Sequence, residues 1–228
     1  MESIQEIKLA IERLQPMELR DLEMWFRAGA GIGQGVAEPA FAYADPSERC
    51  SISVEEYLQL EEVSPIRHEY VAGALFAISG ASKRHNVISL NVAAALLAHL
   101  GAGPCRAYVC DVKVHLTVDR DDIFYYPDVL VTCGQQDLES HLVRDPKLIV
   151  EVLSPSTEAI DRREKALNYR RINSLEEYIL IAQNRREMTF FRRADAWRAR
   201  VLPSSERIAE FHSVALTLPV DRIYGGVL

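Results

Sequence analysis

No apolar run in this chain approaches the roughly 20 residues that a membrane-spanning helix needs. Its start, MESIQEIKLAIERL, has no basic stretch leading into a continuous apolar one, so neither a signal peptide nor an anchor is expected. The reading is a soluble, cytoplasmic chain. Cysteine is scarce as well. Cys50, Cys105, Cys110 and Cys133 show neither CxxC spacing nor a histidine arrangement suited to zinc, and buried thiols in a reducing compartment are the simplest expectation. A bridge from Cys105 to Cys110 across a hairpin is the weaker alternative. The glycine-rich stretch GAGIGQG (29–35) departs from G-x-G-x-x-G and follows a helical pattern instead of a strand, so it reads as linker and not as a phosphate loop.

An excess of basic charge is also missing. The net charge is −7, which argues against a polyanionic partner, since such partners are held largely by Lys and Arg. The distribution weakens that objection. Residues 1–62 carry 5 Lys/Arg against 13 Asp/Glu, a balance of −8, whereas residues 63–228 balance at +1 and the segment 158–200 at +4. An ordinary solvated surface accounts for this equally well.

What is present is enough apolar material for one sizeable core: 228 residues, 48% hydrophobic. Ile4, Ile7, Ile11 and Leu14, then Leu19, Leu22, Trp25 and Phe26 after Pro16, predict an acidic helical hairpin over 1–28. A flexible linker over 29–50 and one domain over 51–228 follow. SVEEYLQLE predicts a helix capped by Ser53, with Glu56 completing a capping box. Glu69 to Ser79 reads as a strand bent at Gly73, and Ser82 to Leu100 as a long, largely buried helix. Three strand-like runs come next: RAYVCDVKVHLTV, DIFYYPDVLVTC and KLIVEVLS. Glu158 to Ile172 is an amphipathic helix, EYILIA (Glu177 to Ala182) a buried strand, and EMTFFRR and WRARVL two more strands. This order predicts an α/β fold around a mixed sheet.

Two carboxylates stand where packing favours aliphatic residues: Asp128, after Pro127 in YYPDVLVT, and Glu151 inside KLIVEVL. A lone buried charge is prohibitively costly, so each must be protonated, paired, solvated or bound to a cation. Two facing acids about 4 Å apart repel by roughly 4 kcal/mol at an effective dielectric near 20. A divalent cation reverses that sign, and oxygen-only ligands suit magnesium or manganese. The plainer reading gives Asp128 a turn role and Glu151 a salt bridge to an arginine. Against it stands the helix after Glu151. SPST exits the strand with Ser156 or Thr157 as cap, and Asp161, Lys165 and Tyr169 recur every four residues on one helical face. A first turn folded back over the strand end would bring the Lys165 ammonium to Glu151, where it could orient a water or neutralise charge in a phosphoryl-transfer transition state.

The succession Pro127-Asp128, then EVLSPST, then Asp161-x-x-x-Lys165-x-x-x-Tyr169, ending in EYILI, resembles the Uma-type restriction endonucleases, a branch of the PD-(D/E)XK nucleases. The likeness covers roughly Ser53 to Leu202. It implies a restriction-endonuclease-like αβββαβ core, magnesium or manganese held by Asp128 and Glu151, and hydrolysis of phosphodiester bonds in nucleic acid, DNA above all. One departure is plain. Leu153 occupies the position of the superfamily lysine, and the resemblance moves that role to Lys165 on the next helix. Glu69 and His85 match further acidic and histidine positions of the family, and Asp161 and Tyr169 complete the candidate set. Asp111 is a weaker candidate, and His99 and His115 read as structural. A non-enzymatic binding or regulatory module on the same fold is the alternative function. Residues 1–28 would suit a protein partner, and a homodimer is a further expectation, because double-strand cleavage commonly needs two sites.

Overall fold

A computed structural model describes residues 51–228 except Ser79, 135–139 and Ser204. The expected hairpin over 1–28 and the linker over 29–50 lie outside the described residues.

The first helix, α1 (Val54–Val63), begins as its sequence dictates. Ser53 accepts from the Glu56 amide (3.2 Å) and its own amide donates to Glu56 Oε2 (2.7 Å), closing the capping box. Next come β1 (His68–Val71) and β2 (Ala74–Ala77), antiparallel, with Glu69 opposite Phe76. The expected single bent strand over 69–79 is therefore a hairpin. Ala72 and Gly73 both take positive φ (49° and 89°), which is the geometry of a two-residue hairpin turn. The long helix α2 (Lys83–Leu100) follows, capped by Ser82 and closed by Gly101 at φ 53°. It is only half buried, because Leu90 and Leu97 face outward while Ile88, Val92 and Leu96 face the core.

Two of the three strand-like runs break in the middle. The first divides into β3 (Cys105–Val109) and β4 (Lys113–Val118) at Cys110, which takes φ 48°. The second divides into β5 (Asp121–Tyr125) and β6 (Val129–Cys133) across Tyr126-Pro127-Asp128, where Pro127 has no amide to give to a ladder. Each run thus supplies a strand to both sheets. After β7 (Leu142–Val143) and β8 (Pro146–Leu153), the helical segment comprises α3 (Glu158–Ile160), a π turn (Asp161–Lys165) and α4 (Ala166–Tyr169). Thr157 begins α3 without a side-chain cap. Ser154 takes that part instead, accepting from the Thr157 amide at 3.2 Å. The remaining elements are β9 (Glu177–Ala182), β10 (Met188–Arg192), β11 (Arg200–Val201), β12 (Ile208–Phe211), β13 (Leu216–Pro219) and α5 (Val220–Ile223). Of WRARVL only Arg200–Val201 is strand.

One sheet has the order β2-β1-β5-β4-β7 and the other β11-β10-β9-β8-β6-β3, with β12-β13 apart. The six-stranded sheet is mixed: β8 and β9 run parallel and β6 and β8 antiparallel. Both its faces are covered. Leu148, Val150 and Val152 join the cluster containing Ile88, Val92 and Leu96 of α2, while Ile149 and Leu153 join Val114, Tyr125, Ala166 and Tyr169 on the other side. Burial on both faces explains why β8 is almost wholly apolar. Since strand side chains alternate, Glu151 shares the face of Ile149 and Leu153, under the helical segment that carries Lys165. Among the described residues no helix is long and apolar enough to cross a membrane.

The described cysteines differ from expectation, and Cys50 lies outside the described residues. Cys105 and Cys133 are directly opposed in the β3–β6 ladder and form a disulfide, and Cys110 is an exposed free thiol. Cross-strand partners lie close enough for this bond, whereas the break at Cys110 takes that residue out of the ladder.

Candidate active site

The parallel pairing of β8 with β9 directs the end of β8 toward the helical segment, and the β6–β8 ladder brings Asp128 beside Glu151. The Asp128 amide donates to Glu151 Oε2 (3.2 Å), and Asp128 Oδ2 accepts from the Val152 amide (2.7 Å). The two acids are therefore fixed reciprocally, each by backbone of the other's strand region. No arginine pairs with either in the described residues.

Lys165 supplies the compensating charge. Its Nζ lies 2.8 Å from Glu69 Oε1, 3.2 Å from Glu151 Oε1 and 3.4 Å from Asp161 Oδ1. The π turn sets this placement, because its wider coil lets Asp161 and Lys165 face the sheet together; π turns occur frequently at functional sites. Tyr169, one turn on, donates to Glu151 Oε1 at 3.3 Å. His85 reaches in from the first turn of α2, its Nε2 3.1 Å from Asp128 Oδ2. All seven candidate residues thus meet in one network. Lys165, Glu151 and Asp161 form its sealed floor, and Glu69, His85 and Asp128, with side chains 15%, 13% and 19% exposed, form its mouth.

The electrostatics follow from burial. Desolvation pushes the Glu151 carboxyl well above its ordinary value, with Lys165 opposing and Asp161, Asp128 and Glu69 adding to the rise. Asp161 is raised for the same first reason. Lys165 stays charged: burial lowers its pKa, but Glu151, Glu69 and Asp161 together raise it well above the usual lysine value. His85 is raised as well, burial being outweighed by Asp128 and a backbone hydrogen bond at Val152.

Four carboxyl groups thus face one lysine and one histidine, and Asp161 Oδ1, though buried, has no hydrogen-bond partner. Oxygen donors in excess of cationic groups fit a hard divalent cation. A ready-made cage of three acidic, histidine or cysteine ligands is absent among the described residues, because Lys165 takes the point where Glu69, Glu151 and Asp161 converge.

Other residues support the site and were missed from sequence. Tyr125 lies under Lys165, with Nζ 5.3 Å from the ring centroid, and donates to Glu164 Oε1 (2.8 Å). Tyr178 donates to the Asp161 carbonyl (3.0 Å), and Glu61 makes a buried pair with His68. Aromatic and acidic residues in apolar segments read as core or surface until their long-range partners are known. Asp111 stands apart from the network, 3.4 Å from Arg67 and largely exposed. His99, exposed, bonds the Val214 carbonyl, and His115, mostly buried against the Phe124 ring, pairs with Asp122.

A mixed sheet with one acid at the start of a strand, a second inside the neighbouring strand and a lysine from the following helix goes with a nuclease-like α/β fold. The comparisons agree. The chain belongs to the Uma2 family, described as "Putative restriction endonuclease", whose model matches residues 54–221. It is 37% identical over 179 residues to the uncharacterized protein slr1290 of Synechocystis sp., covering 77% of this chain and 93% of that one. It is 34% identical over 135 residues to the uncharacterized protein sll1609 of the same organism, covering 58% and 75%. The crystal structure of a "putative nuclease belonging to DUF820" from Anabaena variabilis shares the fold, with TM-score 0.64 and 16% identity, over 78% of this chain and 99% of that one.

Proposed function

We propose that the chain is a metal-dependent nuclease that hydrolyses phosphodiester bonds in DNA. The observation that carries this reading is the convergence of Glu69, Asp128, Glu151 and Lys165, from four separate elements, at a partly open site with more carboxyl groups than cations to balance them. Asp128 and Glu151 would hold magnesium or manganese, with Glu69 beside them at the mouth. A divalent ion bound there supplies a Lewis acid for a phosphoryl oxygen and lowers the pKa of a bound water.

The residues do the rest. Asp128 is held in place by the Val152 amide, so its carboxylate needs no reorganisation to act as a ligand. Lys165, kept charged by its neighbours, can hold the attacking water or balance negative charge that builds up on the phosphorane-like transition state. Tyr169 fixes the Glu151 oxygen that faces Lys165. A catalytically inactive module is the second reading, favoured by the lysine at the centre of the acids, which is an ion-paired arrangement complete in itself.

Plasmid DNA incubated with the purified chain and magnesium or manganese separates the two. Cleavage by wild type, lost in EDTA and in Asp128→Ala and Lys165→Ala, is the expected result. Equal activity in all three proteins would mark a contaminant, and metal binding without cleavage would favour the inactive module.

A further inference from the structure

Beside the acid network lies a second buried cluster that the proposed chemistry does not use. Glu61, in the last turn of α1, is almost fully buried, and both of its carboxylate oxygens are engaged. Oε1 accepts from the His68 amide (3.1 Å) and sits 2.9 Å from His68 Nδ1, while Oε2 accepts from the Tyr126 hydroxyl (2.5 Å). Lys113 lies over the rings of Tyr57 and Tyr126, at 5.4 and 5.6 Å from their centroids, and Tyr57 donates to the His68 carbonyl (2.9 Å).

The two residues that Glu61 grips are those that set the position of Glu69. His68 is its neighbour on β1. Tyr126, in the break between β5 and β6, donates its amide to Glu69 Oε1 (3.3 Å), the same oxygen that faces Lys165 at 2.8 Å. Tyr126 also stands two residues before Asp128. The hydrogen bonds of the Glu61 carboxylate run to His68 and Tyr126 and not to the acids of the site. What that carboxylate can do is hold the strand carrying Glu69 and the break leading to Asp128 at one fixed separation.

We infer that Glu61 is a positioning residue: through His68 and Tyr126 it fixes the Glu69 carboxylate at the mouth of the site. The inference rests on the proposed nuclease reading for its effect on cleavage, but its geometry can be read without it. Residues that orient a reacting or ligating group from behind typically change affinity or rate on the order of 10- to 100-fold when altered.

Two measurements on the full chain test it. In the first, the chain is labelled uniformly with ¹⁵N and the amide of residue 126 is followed in wild type, Glu69→Gln, Glu61→Gln and Tyr126→Phe. The Tyr126→Phe variant keeps the ring and the amide and so guards against a Glu61 variant that fails to fold. The Tyr126 amide should move in the same direction in Glu61→Gln and Tyr126→Phe as in Glu69→Gln, since each loosens the same hydrogen bond. An amide that moves in Glu69→Gln but stays at its wild-type position in both other variants overturns the inference, whether or not the chain cuts DNA. In the second, manganese-dependent cleavage is compared in Glu61→Gln, Glu69→Gln and the double variant. A loss on the order of 10-fold in kcat for Glu61→Gln with unchanged KM for DNA, and a double variant no slower than Glu69→Gln alone, is expected. Fully multiplicative losses would mean that Glu61 acts only through general stability. Absence of cleavage in wild type would count against the nuclease reading and leave the amide result to decide the positioning role.

Discussion

Lys165 Nζ and Glu151 Oε1 stand 3.2 Å apart with both side chains sealed from solvent, one on a π turn and the other in the middle of a sheet strand. The pair answers the question posed by a carboxylate inside β8. A buried pair of this kind adds little net stability when intact, yet costs about 3–5 kcal/mol when one partner is removed and the other charge is left behind.

Lys165→Met should therefore lower stability, by up to about 3–5 kcal/mol where the facing acids are ionised and by less where Glu151 and Asp161 take up a proton. Metal-dependent cleavage should also fall by about 10²–10³-fold, the cost of deleting one preorganised group that meets transition-state charge. Urea titration and plasmid nicking rates check the two effects. A stable variant that cuts at the wild-type rate would remove Lys165 from the site.

A pH dependence follows from Glu151 and Asp161. Burial raises both above their ordinary values, so the folded chain binds these protons more tightly than the unfolded chain. Their contribution to stability is complete below the ordinary carboxylate range, near 4.5 for a glutamate, and is lost as pH rises through the raised values. In EDTA, the gap in Tm between wild type and Glu151→Gln should widen against wild type from pH 5 to pH 8. Manganese should close it at pH 8 by favouring the ionised carboxylates of wild type. Parallel curves with and without metal would contradict the assignment.

What the sequence makes legible depends on where each signal resides. The capping box at Ser53, the apolar run of β9 and the spacing of Asp161, Lys165 and Tyr169 are local patterns, and the structure keeps all three. The convergence of Glu69 and His85 with them came from family resemblance, since nothing local links β1 and α2 to β8. The hairpin at Ala72-Gly73 was anticipated only as a bend at Gly73, and the breaks at Cys110 and Tyr126-Pro127-Asp128 were hidden because strand-like residues resume at once on either side of them. The Cys105–Cys133 bond and the Glu61–His68–Tyr126 cluster depend on which strands pair, a property that no window of sequence contains.

Asp128 has two duties that substitution can separate. Its Oδ2 accepts from the Val152 amide at 2.7 Å and also faces His85. Asp128→Asn keeps an acceptor for that amide and should fold within about 1 kcal/mol of wild type, whereas Asp128→Ala strands a partly buried donor at a cost of about 1–3 kcal/mol. Both should lose manganese binding by calorimetry. An Asn variant that binds manganese as wild type does would show that the carboxylate serves the β6–β8 region alone.

Gly73 tests the hairpin that carries Glu69. It takes φ 89°, and an added Cβ would lie 2.0 Å from Ser51 Oγ and 2.9 Å from Ser51 Cβ. Gly73→Ala thus incurs two costs, the left-handed backbone and the collision with Ser51, and should destabilise by at least the 1–3 kcal/mol typical of a strained dihedral. The two separate in a double variant. Ser51→Gly removes the two closest atoms and leaves the dihedral cost with a tight contact to the residue-51 Cα at 3.2 Å, so Ser51→Gly/Gly73→Ala should recover part of the stability lost by Gly73→Ala alone in urea titrations. Because Glu69 pairs with Phe76 across this hairpin, a shift of the turn displaces the carboxylate as well, and metal affinity should follow stability in the same order. Recovery of the full wild-type stability would mean that the collision alone selects glycine here, and no recovery would mean that the dihedral does.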